Sequence, residues 1–93
     1  MTDAQKRLAR HALGFPNKQN TSYRNRYCIH PGSAGYVELE SMVAQGDALK
    51  RTGLLWDGAD MFHLTLTGAL AAREENENIS REDTLLMLKL EAV

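Results

Sequence analysis

Cysteine is almost absent from this chain: Cys28 stands alone, so no intramolecular disulfide can form, and a reducing compartment is the natural expectation. Long apolar runs are missing as well, and nothing approaches the length needed to cross a bilayer. The first residues, Met1-Thr2-Asp3-Ala4-Gln5-Lys6-Arg7, lack the apolar stretch of a signal peptide. A cytoplasmic protein without membrane attachment is therefore expected. Aromatic residues make up only 6% of the chain and proline occurs twice. The composition nevertheless supports folding, because 43% of the 93 residues are hydrophobic and 25% charged, outside the range of disordered chains. That length fits one domain spanning residues 1–93.

Net charge is also nearly missing, at −1, but the charges are unevenly spread. Residues 1–51 hold eight basic residues against four acids, whereas residues 52–93 hold three against eight. A basic half suits phosphate or an acidic partner surface. The alternative is that the two halves are solvated and pair with each other.

Spacing predicts helix, short strand, helix, hairpin, helix, helix. Thr2 or Asp3 caps a first helix over residues 1–14, with Ala4, Leu8, Ala12 and Leu13 toward the core, and Gly14 and Pro16 ending it. Residues 15–32 form a polar loop, anchored by Tyr23, and a short strand around Arg26 to His30. Ser33 is expected to cap a helix whose stripe is Tyr36, Leu39, Met42 and Val43, with Gly46 at its end. A β-hairpin follows with a long connection, and Asp57-Gly58 marks a tight turn within it. In its second strand Phe62 and Leu64 face one side, Met61, His63 and Thr65 the other. Thr67 is expected to cap a third helix carrying Leu70, Ala71 and Ala72. Ser80 and Asp83 open a last helix over residues 80–91 that is leucine-rich nearly all round: Leu85, Leu86, Leu88 and Leu90. The fold class is α+β, three to four helices around a small antiparallel sheet.

The helix–hairpin–helix core, residues 33–73, resembles the second half of a winged-helix domain. Leu39, Met42, Val43 and Gly46 end a helix, Leu49-Lys50-Arg51 form a basic strand, and Phe62-His63-Leu64-Thr65-Leu66-Thr67-Gly68 match the closing phrase of the wing. At that junction a strand stops and a helix begins, which calls for a capping hydroxyl and a small residue. Winged helices that read DNA place two helices before the wing. Between Gly14 and Gly46 only one is clear, so either the loop hides a short helix or the recognition helix is missing. The wider stretch from residue 5 to 73 resembles small phage and prophage proteins, through Ser22-Tyr23-Arg24-Asn25-Arg26-Tyr27 and Asp57-Gly58-Ala59-Asp60-Met61-Phe62. The resemblance implies a phage setting and no assigned activity.

Tyr23, Arg24, Asn25, Arg26 and Tyr27 interleave rings and cations that can stack on bases and hold phosphate, or else fix the loop itself. Lys50 and Arg51 sit where a wing meets phosphate, or are a solvated strand end. Leu54, Leu55 and Trp56 either fold back onto the core or meet a partner, a host protein or a second copy of the chain. His11, Cys28, His30 and His63 lack the orderly spacing of a zinc site, and Cys28 is expected to be buried. Asp57 and Asp60 read as turn residues, with no nucleophile–base pair beside them. Neither enzyme activity nor a cofactor is expected. Two functions remain: nucleic-acid binding through Tyr23, Arg24, Arg26, Tyr27, Lys50 and Arg51, or a protein–protein adaptor acting through Trp56, Leu54 and Leu55.

Overall fold

A computed structural model describes residues 1–92. Its elements are α1 (Asp3–Leu13), β1 (Tyr27–Ile29), α2 (Tyr36–Gln45), β2 (Ala48–Arg51), β3 (Asp60–Leu64), α3 (Leu66–Ala72) and α4 (Arg81–Glu91). The α+β class is as expected, with four helices and a three-stranded antiparallel sheet of order β1-β3-β2. No described helix is long and apolar enough to cross a membrane.

A capping box opens α1. Thr2 Oγ1 accepts from Gln5 N–H, and Gln5 Oε1 accepts from Thr2 N–H, both at 3.1 Å. Gly14, at φ 88°, closes the helix by donating to the Arg10 and His11 carbonyls. The buried stripe is turned by about one residue from expectation. Ala9, Ala12 and Leu13 are buried, while Ala4 and Leu8 lie on the shoulder. The small alanines let α1 settle on α3, where Ala69 and Ala72 are also buried.

Chain segment 15–26 contains no helix, so the loop hides no recognition helix. It is pinned by its backbone instead. Tyr23 N–H donates to Leu13 O, Arg26 N–H to Ala12 O, and Ser22 N–H to Asn78 O. Ser33 does not cap α2 through its side chain. A turn from His30 to Ser33 and a second from Ser33 to Tyr36 push the helix start on to Gly35. Tyr36, Leu39 and Met42 are then buried as the stripe requires, and Gly46 ends the helix.

Strand β3 lies at the centre of the sheet. Tyr27 pairs with Phe62, Cys28 with Met61 and Ile29 with Asp60, while Ala48 pairs with Leu64, Leu49 with His63, Lys50 with Phe62 and Arg51 with Met61. Directly paired residues share a face. One face thus carries Ile29, Ala48, Asp60, Phe62 and Leu64, all buried. On that face Asp60 accepts a hydrogen bond from Tyr36 Oη, and the contact raises the Tyr36 pKa. Cys28, Leu49, Arg51, Met61 and His63 occupy the opposite face. This corrects the expectation for Cys28: its register places it on the open side, and it is exposed.

Thr65, not Thr67, caps α3. Its Oγ1 accepts from Gly68 N–H at 3.1 Å while donating to Gly46 O at 2.8 Å. The start two residues earlier turns Ala69 and Ala72 inward and leaves Leu70 and Ala71 exposed. Helix α4 is capped by Ser80, as expected. Of its apolar residues only Met87 is fully buried, whereas Leu85, Leu86 and Leu88 are 57%, 56% and 50% exposed.

Candidate functional site

A concavity lies over the open face of the sheet. It has a volume of about 500 Å³, and α4 forms its far wall. Tyr23, Arg24, Asn25 and Arg26 enter from the pinned loop, Arg51 from β2, Met61 and His63 from β3, and Glu82, Asp83, Leu86 and Leu90 from α4. Residues more than twenty positions apart in sequence thus share one cleft, because the loop runs into β1 and β1 and β2 flank the same strand.

Each wall has its own chemistry. On the loop side the Arg24 guanidinium lies 5.3 Å from the Tyr23 ring centroid, a cation–π arrangement. Its Nε and Nη2 donate to the His11 carbonyl at 3.1 and 2.6 Å, at the negative end of the α1 dipole. Tyr23 itself is 64% exposed, with one edge of its ring against Gly14. Arg24, Arg26 and Arg51 form no ion pair among the described residues. On the helix side Leu86 and Leu90 are apolar and Glu82 supplies an exposed carboxylate.

Asn25 forms the floor of the cleft. Its side chain behaves as an extra strand residue, accepting from Leu64 N–H at 2.8 Å and donating to Leu64 O at 3.0 Å. Its carbonyl lies 2.8 Å from His63 Nδ1. A carbonyl only accepts, so Nδ1 donates to it, and the second ring nitrogen is Nε2. That Nε2 is buried and has no partner among the described residues.

Two of the six expected nucleic-acid residues lie elsewhere. The pleat sends Lys50 to the face opposite Arg51, where its Nζ is 2.9 Å from Glu40 and 5.7 Å from the Tyr36 ring centroid. Tyr27 pairs with Phe62, so it too leaves the open face. Its ring centroid lies 5.1 Å from that of His11, and it lines a smaller groove with Arg24, Arg26 and Cys28.

Elsewhere the expected partner residues split. Trp56 is fully exposed and Leu54 is 49% exposed, while Leu55 is partly buried, so the loop does not fold back onto the core. Asp57 is a turn residue, as expected: its Oδ1 accepts from Ala59 N–H, and its Oδ2 lies 3.5 Å from His30 Nε2. Asp60 instead opens β3. No three His, Cys, Asp or Glu side chains gather as metal ligands among the described residues. The contribution of His63, Glu82, Leu86 and Leu90 to the cleft was not foreseen. Only the alternation of β3 pointed to His63, and nothing in the sequence brought α4 over the sheet. Comparison with known proteins finds no matching family, curated relative or solved structure.

Proposed function

We propose that this chain binds single-stranded nucleic acid in the cleft between the open sheet face and α4. The observation that carries the proposal is the convergence of Arg24, Arg26 and Arg51, all without carboxylate partners, beside the exposed Tyr23 ring. Cations track a phosphate backbone, and an exposed ring capped by a guanidinium is a platform for a base. The opposite wall suits the rest of a nucleotide: Leu86 and Leu90 can meet base faces, and the Glu82 carboxylate accepts from exocyclic amines.

Duplex reading is disfavoured by charge. Within α2, the helix nearest the wing, the outward side carries Val37, Glu40, Ala44 and Gln45, and the helix has no basic residue. A helix entering the major groove needs the opposite sign. The sheet order β1-β3-β2, with a loop joining β2 to β3, supports a winged-helix-like ancestry that has lost its recognition helix. The phage setting rests on the two sequence phrases alone.

Fluorescence anisotropy with a labelled single strand of about 20 nucleotides, at about 50 and about 200 mM salt, tests the proposal. Binding is expected to weaken steeply with salt. Arg26→Ala and Arg51→Ala should each weaken it and flatten the salt slope by about 0.7. Lys50→Ala, on the other face, should leave it unchanged. Absence of binding at the lower salt, or equal effects of Lys50→Ala and Arg51→Ala, would overturn the proposal. A second reading, a protein adaptor, is favoured by one observation: Trp56 is fully exposed at the loop joining β2 and β3. Retrieval of a protein partner by the native chain but not by Trp56→Ala would decide for it.

A further inference from the structure

Helix α4 turns three leucines outward, and their arrangement is self-complementary. Asp83 and Met87 are the buried residues of the helix. Leu86 and Leu90 line the cleft. On the remaining side Arg81, Leu85, Leu88 and Ala92 follow one another at spacings of four, three and four, which is the a/d spacing of a coiled-coil seam. All four are exposed. Leu85 and Leu88 form the apolar centre of this seam, and Glu82 and Lys89 flank it on one side, seven residues apart and therefore aligned.

We infer that a second copy of this chain covers the seam, with the two α4 helices antiparallel. When Leu85 of each copy packs on Leu88 of the other, Glu82 lies within two helical positions, about 3 Å of rise, of Lys89 of the second copy. The two-fold axis forms that ion pair twice. A parallel pairing would carry the two copies of this flank to opposite sides of the seam, where Glu82 and Lys89 do not meet, so the charges favour the antiparallel crossing. The contact is isologous, as most homodimer contacts are. It is also small, since one 11-residue helix is about 16 Å long and a standard interface buries about 800 Å² per partner. The dimer is therefore weak and reversible. Leu85, Leu88 and Lys89 do not line the cleft, whereas Glu82 does and so belongs to both surfaces.

Sedimentation velocity of the full chain from about 10 µM to about 1 mM provides the test. The weight-average mass should climb from that of one 10.4 kDa chain toward that of two as concentration rises. Leu88→Glu should hold it at the monomer value throughout. Glu82→Lys and Lys89→Glu should each weaken association at least tenfold, and the double reversal should restore it. The three positions are exposed, so unchanged circular dichroism is expected for every variant. A wild-type chain that stays monomeric over the whole range overturns the inference. So does a dimer indifferent to Leu88→Glu, and so does a double reversal that fails to recover what the single ones lose. Leu88 and Lys89 lie outside the cleft, so their variants test association apart from nucleic-acid binding, whereas Glu82→Lys alters both surfaces.

Discussion

Arg10 and Glu77 meet through two parallel hydrogen bonds, Nη1 to Oε1 at 2.5 Å and Nη2 to Oε2 at 2.8 Å, and so join α1 to the polar segment 67 residues later. Arg10 Nη1 also donates to Ala72 O, at the end of α3, while Glu77 Oε1 accepts from Glu74 N–H. Both side chains are largely buried, at 16% and 5% exposure. The Arg10 guanidinium thereby closes three segments around one point.

Removing one partner should expose how much depends on that contact. Glu77→Ala leaves a buried guanidinium without its carboxylate and strips Glu74 N–H of its acceptor. A loss of about 3 kcal/mol is expected, against a total stability of about 5–15 kcal/mol for such domains. The melting temperature should fall by more than about 10 °C, as measured by circular dichroism.

The same pair gives the stability an acid limit. Hydrogen bonds from Arg10 hold the Glu77 carboxyl below its ordinary value of 4.5. A carboxylate whose pKa is lower in the folded chain contributes its full stabilisation above the unfolded value, and loses it as pH falls through the folded one. Urea midpoints should therefore be level from neutrality to about pH 5 and drop below about pH 4.5. In Glu77→Gln, already weakened, that part of the acid drop should be missing.

Gly68 lies where α3 first touches the β2 entry. A Cβ there would stand 2.0 Å from the Asp47 carbonyl oxygen, which itself accepts from Thr65 N–H. Backbone on both sides leaves nothing to move aside. Gly68→Ala should cost more than about 3 kcal/mol and yield little soluble protein, whereas Gly32→Ala, where a Cβ meets no atom within 4 Å, should show only the strain of its positive φ, about 1 kcal/mol. Denaturant titration of the two variants checks the contrast.

Trp56 is the chain's one tryptophan, so intrinsic fluorescence reports the β2–β3 loop alone. With the ring fully exposed, the native emission should already match that of tryptophan in water and be quenched freely by iodide. Unfolding should barely shift it. A blue-shifted native spectrum that reddens on unfolding would show that the ring is covered in solution.

Short-range signals carried most of the fold. Caps, glycine stops and stripes are chemistry within one or two turns, so Gly14, Gly46 and Ser80 could be assigned from the sequence and the first cap narrowed to Thr2 or Asp3. Where two residues competed for one task, geometry decided: Thr65 and Thr67 both offer a hydroxyl, but only Thr65 sits at the strand end with Gly46 O in reach. The cleft was half legible. Tyr23, Arg24 and Arg26 are neighbours in sequence, and Arg51 follows from the basic strand. The pleat that separates Lys50 from Arg51 depends on which residue of β2 faces Phe62, and no local pattern in four residues fixes that register. The exposure of Cys28 follows from the same kind of pairing. Contacts such as Arg10–Glu77 and Ser22–Asp83 join segments 67 and 61 residues apart, where charge and polarity alone name no partner.

Helix α4 is moored along a narrow line. Ser22 Oγ donates to Asp83 at 2.6 Å and accepts from Ser80 N–H, Met87 is buried one turn on, and Glu91 accepts from Leu66 N–H. A cylinder held along one line can roll about it, and beside that line Leu86 and Leu90 face the cleft they share with His63. Amide protons of α4 should accordingly exchange with solvent ahead of those of β3, and the cleft breathes at a free energy below that of unfolding the sheet that floors it.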